Sequence, residues 1–208
     1  MSEPSLNVLH AVRLSGLASE AAVAAATGLP SADVAGALAS LTESGLVKQR
    51  TGRMSGYSLT AEGRSLHADR VAGALPDGAR PAVERAYQAF LPLNSAFKQL
   101  CTDWQLRPGP DGADRPNDHA DPGYDAAIVD RLGRIHTEIS ELVAEVAAVL
   151  PRFGTYPGRF TAALDRLRGG DRSAFARPLS DSYHDVWMQL HEDFLLSLGR
   201  GREEADGC

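Results

Sequence analysis

The sequence predicts a mainly α-helical protein in two parts: an N-terminal unit of short helices closed by a β-hairpin, and a longer, purely helical remainder. Three observations carry this. Composition is 43% hydrophobic but only 6% aromatic, as expected for a globular helical chain. Apolar residues recur three and four apart through most segments. That period is lost once, between Leu46 and Thr60, where "LVKQRT" and "GYSLT" flank the glycine-bearing "GRMSG", the pattern of two strands and a turn. At 208 residues the chain has room for two small domains. We place them at 1–75 and 76–200, with a disordered polar tail at 201–208.

The first unit is read element by element. Ser5 is a fitting N-cap for a helix carrying Leu6, Leu9, Val12 and Leu14, closed by Gly16. A second helix begins at Ser19, turns Ala22, Val23 and Ala26 inward and stops at Gly28. A third starts at Ser31 after Pro30 and lines up Val34, Leu38 and Leu41 before Gly45. Gly45 suits the left-handed position that ends a helix, with Leu46 folding back on Leu41. After the hairpin, Thr60 caps "AEGRSLHADRVAGAL", in which Leu66 and Val71 are the expected apolar anchors. The order helix, helix, helix, hairpin, helix is that of a winged helix-turn-helix with a two-stranded wing. Its third helix would enter the major groove of DNA.

The stretch "ATGLPSADVAGALASLTESGLVKQRTGRMSGYSLTAEGRSL" resembles the DNA-binding core of MarR-type bacterial regulators. The residues that carry the resemblance are Leu41, Gly45, Leu46 and Val47, then Leu59, Thr60 and Gly63. The quoted stretch runs from Ala26 to Leu66, 41 residues and under a third of the chain. The sequence departs from that group in two ways. Thr51 stands where an aspartate often precedes the wing arginine, here Arg53, and no long dimerisation helix leads into the domain. The resemblance implies a transcriptional regulator bound to double-stranded DNA. The expected contacts are Ser31, Ala32, Asp33, Ala35, Gly36 and Ser40 on the third helix, with Lys48, Arg50 and Arg53 on or beside the wing. The third helix has Asp33 and Glu43 as its only charges. Attraction to phosphate must therefore come from the wing, and the helix would offer free N–H groups, hydroxyls and small residues that permit close approach. A winged-helix protein-interaction or adaptor module that binds no DNA is the alternative.

Charge divides the two parts. Through Gly73 six basic residues (Arg13, Lys48, Arg50, Arg53, Arg64, Arg70) balance six acidic ones (Glu3, Glu20, Asp33, Glu43, Glu62, Asp69), so the net charge of −6 lies wholly in the remainder. That opposes broad contact of the second part with nucleic acid or an anionic membrane. There, Pro81 opens a helix with Val83, Tyr87, Phe90, Leu91, Phe97, Leu100 and Trp104, in which Pro92 predicts a kink. "RPGPDGADRPNDHADPG" from Arg107 to Gly123 has loop chemistry, read first as disordered surface and second as a cover over a binding site. Ile128, Leu132, Ile135, Ile139, Leu142, Val146 and Val149 form a heptad seam ended by Pro151. It would pack within a bundle or across a dimer axis, and the regulator resemblance favours a homodimer. A helix from Pro157 to Arg168 and a last one over "SDSYHDVWMQLHEDFLLSLG" complete the set, the latter with an apolar arc too wide for a surface helix.

Tyr87, Trp104, Tyr183, His184, Trp187 and His191 are candidates to line a small-molecule effector pocket, with plain core packing as the competing explanation. His184 and His191 stand seven apart, about 10.5 Å along a helix, too far to share one metal ion. No nucleophile elbow, phosphate-cradling glycine loop or cofactor motif occurs, so we expect no enzyme, no metal and no cofactor. Two cysteines, Cys101 and Cys208, give no disulfide framework. The N-terminus has no secretory pattern and no run of about 18 apolar residues occurs. The expectation is a cytoplasmic protein with no membrane contact.

Overall fold

The computed structural model describes residues 1–71, 75–109 and 112–201. The proposed tail falls outside them from residue 202 onward. α1 (Glu3–Ser15), α2 (Glu20–Thr27) and α3 (Ser31–Glu43) surround a core of Val8, Leu9, Val12, Val23, Val34, Leu38 and Leu41. The cap of α1 is Ser2 rather than Ser5, its hydroxyl accepting the Ser5 N–H. Ser19 caps α2 as expected, and Gly28 ends it in the left-handed region. At the end of α3, Gly45 has φ +70° and the Leu46 N–H donates to the Leu41 carbonyl at 2.9 Å. That is the fold-back the sequence predicts.

β1 (Val47–Arg50) and β2 (Gly56–Leu59) pair antiparallel, with Val47 opposite Leu59 and Arg50 opposite Gly56. Val47 and Leu59 seal the bottom of the core. Tyr57 also exchanges hydrogen bonds with Ala18, so the turn before α2 acts as a third edge. α4 (Ala61–Val71) follows. It buries Gly63 and His67, while the predicted anchors Leu66 and Val71 are half-exposed. The reason is close backbone approach: a Cβ on Gly63 would lie 1.9 Å from the Leu46 carbonyl oxygen. The helix seats on its glycine.

The second part is built on two 26-residue helices, α5 (Arg80–Gln105) and α6 (Pro122–Ala147), each about 39 Å long at 1.5 Å per residue. α5 continues through Pro92 as a single element. The connection between the two is more ordered than its composition suggests. β3 (Leu106–Pro108) and β4 (Asp114–Pro116) form an antiparallel hairpin. Asn117 then donates to the Trp104 carbonyl and to Asp125, and Asp121 caps α6. This corrects the expectation of disordered surface. A 3₁₀ turn (Pro151–Thr155), α7 (Tyr156–Arg168), the one-turn α8 (Ser173–Ala176) and α9 (Tyr183–Leu198) close the bundle.

The α6 seam is interior: Ile128, Leu132, Ile135, Ile139, Leu142 and Val146 are all buried among α5, α7 and the 3₁₀ turn of the same chain. It packs within the bundle. α9 is the central helix, packed on α5, α7 and α8 and also on α1. Its Tyr183, Val186, Trp187, Leu190 and Phe194 are fully covered. No single helix among the described residues is long and apolar enough to cross a membrane.

Candidate nucleic-acid interface

Every α3 residue expected to meet DNA faces outward or sits at the rim. Ser31, Ala32, Asp33, Gly36 and Ser40 are exposed and Ala35 is half-exposed, while Val34, Leu38 and Leu41 hold the opposite face in the core. The 3.6-residue period produces this division. Pro30 supplies no side-chain cap. The N–H groups of Ser31 and Ala32 at the start of α3 therefore have no partner among the described residues and point out of the helix end.

Lys48, Arg50 and Arg53 are exposed on β1 and the hairpin tip, and none has a carboxylate partner among the described residues. Elsewhere arginines are mostly tied down, as in Arg131 with Asp103, Arg159 with Asp181 and Arg166 with Asp171. Arg64 and Arg70 on α4 likewise have no carboxylate partner among the described residues, so three of the five cations of the first part without one lie on the hairpin beside α3.

The six residues proposed to line an effector pocket fall together only in part. Tyr87, Tyr183, Trp187 and His191 belong to one packed aromatic core with Phe90, Phe97 and Phe194, where Phe97 and Trp187 stack at 4.4 Å. Trp187 Nε1 donates to buried Asn94 at 2.9 Å. Trp104 lies apart, stacked on Phe175 at 4.5 Å and against His119. His184 sits at the edge, half-exposed beside Phe97. Four cavities among the described residues are lined by other residues.

Sequence reasoning missed a buried polar cluster where the two parts meet. Asp193, on α9, is 1% exposed. One of its oxygens faces His10 Nε2 at 3.1 Å and Arg152 Nε at 3.1 Å, and the other accepts from the Tyr156 hydroxyl at 3.1 Å. Burial alone would raise its pKa, but the adjacent His10 and Arg152 outweigh that and hold the carboxyl well below the usual carboxylate range. His10 Nδ1 continues the chain to His67 Nε2 on α4 at 2.8 Å. Nearby, Arg13 pairs with Glu192 at 2.8 Å and the Thr155 hydroxyl donates to the Ala26 carbonyl. A signal was present in the sequence: Asp193 sits inside the apolar arc of Leu190, Phe194 and Leu198, and His10 between Leu9 and Val12. A charged residue in the middle of a buried face needs a partner.

His67 is pushed down to about 3, chiefly by burial and then by His10 and Arg13, with Asp193 opposing. Its ordinary value is 6.5. Between these two pH values the unfolded chain binds a proton that the folded chain refuses. The stabilising contribution is therefore complete above about pH 6.5 and is lost as pH falls toward 3. Thermal unfolding of His67→Gln, which keeps a hydrogen-bonding group for His10 without titrating, should depend less steeply on pH between 6.5 and 4 than the unaltered protein. Parallel curves would rule out His67 as the source.

No known protein family, characterised protein or solved structure matches this chain.

Proposed function

We propose that this protein is a DNA-binding transcriptional regulator whose N-terminal part acts as a MarR-like winged helix, α3 lying in the major groove and the β1–β2 hairpin serving as its wing. The observation that carries the reading is the unpaired trio Lys48, Arg50 and Arg53 on the hairpin beside the exposed, small-residue face of α3. Ser31 and Ser40 supply hydroxyls, the open N-terminus of α3 meets a phosphate, and Ala32, Ala35 and Gly36 let the helix approach base edges.

The protein binds as a homodimer, two α3 helices addressing two half-sites. The second copy occupies the groove between α5 and α6, about 810 Å³, where Ala82, Ala89, Pro92 and Leu93 of α5 face Ile135, Leu142 and Val146 at the edge of the α6 seam. Charge complementarity supports self-association there. Arg85 on the α5 side and Glu138, Glu141 and Glu145 on the α6 side have no ion-pair partner among the described residues, so each copy offers its arginine to the other's glutamates. Ala89→Glu should lower the mass measured by light scattering from dimer to monomer, with helix content unchanged. A monomeric unaltered protein at tens of micromolar would exclude this interface.

The decisive experiment is an electrophoretic mobility shift with the DNA flanking the gene, repeated over a salt series. Three cations per protomer neutralise about six phosphates in a dimer, giving a log–log salt slope near −5. Arg53→Ala weakens binding to all sequences and lowers the slope by about 2 per dimer, whereas Asp33→Ala or Ser40→Ala alters sequence preference. The adaptor reading has one observation in its favour, the exposed acidic Asp33 and Glu43 on α3. A folded dimer that shifts no DNA at low salt would establish it in place of the regulator.

A further inference from the structure

We propose that the crevice where the two parts meet is a binding site for a small organic ammonium ion, a short apolar chain ending in a primary amine. The crevice encloses about 190 Å³, room for about six non-hydrogen atoms if each takes the roughly 30 Å³ of a water molecule. Its walls come from both parts: Leu14 and Leu17 beside the end of α1, Ser55 on the hairpin, and Asp181, Asp185 and Met188 at the start of α9. Leu14, Leu17 and Met188 make the apolar side. Leu179, at the rim, is 57% exposed and has φ +57°, so an apolar side chain is held at the mouth rather than folded inward.

The polar side selects the charge of the occupant. No lysine, arginine or histidine lines the crevice. Asp181 gives one oxygen to Arg159 at 2.6 Å, and Asp185 gives one to the N–H groups of Ser180 and Ser182 at 3.0 and 3.3 Å. The second oxygen of each carboxylate accepts no hydrogen bond among the described residues. Arg159 uses the same nitrogen, Nη2, to donate to the Gln189 side-chain oxygen at 2.7 Å. Two acceptors beside an apolar wall match a group that only donates, and an ammonium carries three donors. A carboxylate of the same size meets repulsion, and an alcohol brings a single weaker donor.

n-Pentylamine and n-pentanol, and pentanoate with one oxygen more, are probes of one carbon-chain length and three charge types. Titrating each into the full-length protein and following backbone amide signals by NMR should give saturable shifts at Ser15, Ser55 and Met188 with the amine, about tenfold weaker binding of the alcohol, and none of pentanoate. Asp181→Asn should weaken the amine about tenfold and leave the alcohol unchanged. Ser55→Trp, placed on an exposed stretch of the hairpin, should block amine and alcohol alike, and Asp130→Asn, exposed on α6 outside the crevice, should change nothing. Equal affinity for amine and alcohol, amine shifts scattered over the acidic surface, or full binding in Ser55→Trp would each overturn the site. The titration needs no DNA, so its failure leaves the regulator reading standing, and a failed mobility shift leaves the titration standing.

Discussion

Asp193→Ala should lower the unfolding free energy by about 3–5 kcal/mol, the usual cost of removing one partner from a buried charge pair. The substitution strands three groups at once. His10 loses its contact with the carboxylate, Arg152 is left with Ser197 as its remaining side-chain acceptor, and the Tyr156 hydroxyl, fully covered, has nowhere to donate. Because His10 belongs to the first part and the others to the second, the damage falls on the joint between them. Urea titration followed separately by a signal from each part should show one transition in the unaltered protein and two in the variant. Asp193→Asn, which keeps acceptor geometry without charge, should fall between. A loss below about 1 kcal/mol for the alanine variant would mean that water replaces the carboxylate and the joint is loose.

Gly63→Ala should cost about 3 kcal/mol or more, at the upper end for an overpacked site. The added methyl would stand 1.9 Å from the Leu46 carbonyl oxygen and 2.9 Å from its carbon. Both atoms are backbone, fixed by the chain reversal after α3, so α4 has to move instead. Moving it breaks the contacts that seat the helix: Thr60 donates its hydroxyl to the Gly45 carbonyl at 2.7 Å, its N–H to the Leu46 carbonyl at 3.1 Å, and accepts the Gly63 N–H at 3.0 Å. Gly36→Ala is the internal control, since nothing lies within 4 Å of a Cβ there. It should stabilise α3 by about 0.5–1 kcal/mol while weakening DNA binding, because the methyl projects from the proposed reading face. Calorimetry and the mobility shift together separate the two effects.

These two glycines show what was legible in the sequence. Local rules located the helices of the first part, the left-handed turn at Gly45 and the hairpin around "GRMSG", because each is set by a few adjacent residues. The spacing of Leu59, Thr60 and Gly63 marked a motif, and its physical content is the seating of α4 on the Leu46 carbonyl. What the pattern could not supply is contact between distant segments. The heptad seam of α6 has the same spacing whether its neighbour is α5 or another chain, and only the assembled bundle distinguishes them. His67, a surface residue by propensity, is buried because Gly63, one turn earlier, draws α4 inward. The order in the 106–121 connection comes from Asn117 and Asp125, eight residues apart, and composition alone reads such a stretch as loop. The exposed face of α3 and the charges of the hairpin, by contrast, follow from periodicity and turn placement, so those candidate contacts needed no tertiary information.

The joint around Asp193 also bears on how this chain could be taken apart. The border near residue 75 looks like a natural place to cut, with a short helix before it and a long one after. Yet α1 carries His10 and Arg13 on a face that α9 covers, and a fragment ending at the border would present that face to solvent with its histidine and arginine unmatched. Grafting residues 1–75 onto a foreign receiver would transplant the fold without its lid. A chimera that keeps α1, α3 and the hairpin stable needs the α9 surface, or a designed replacement for Glu192 and Asp193, to travel with them.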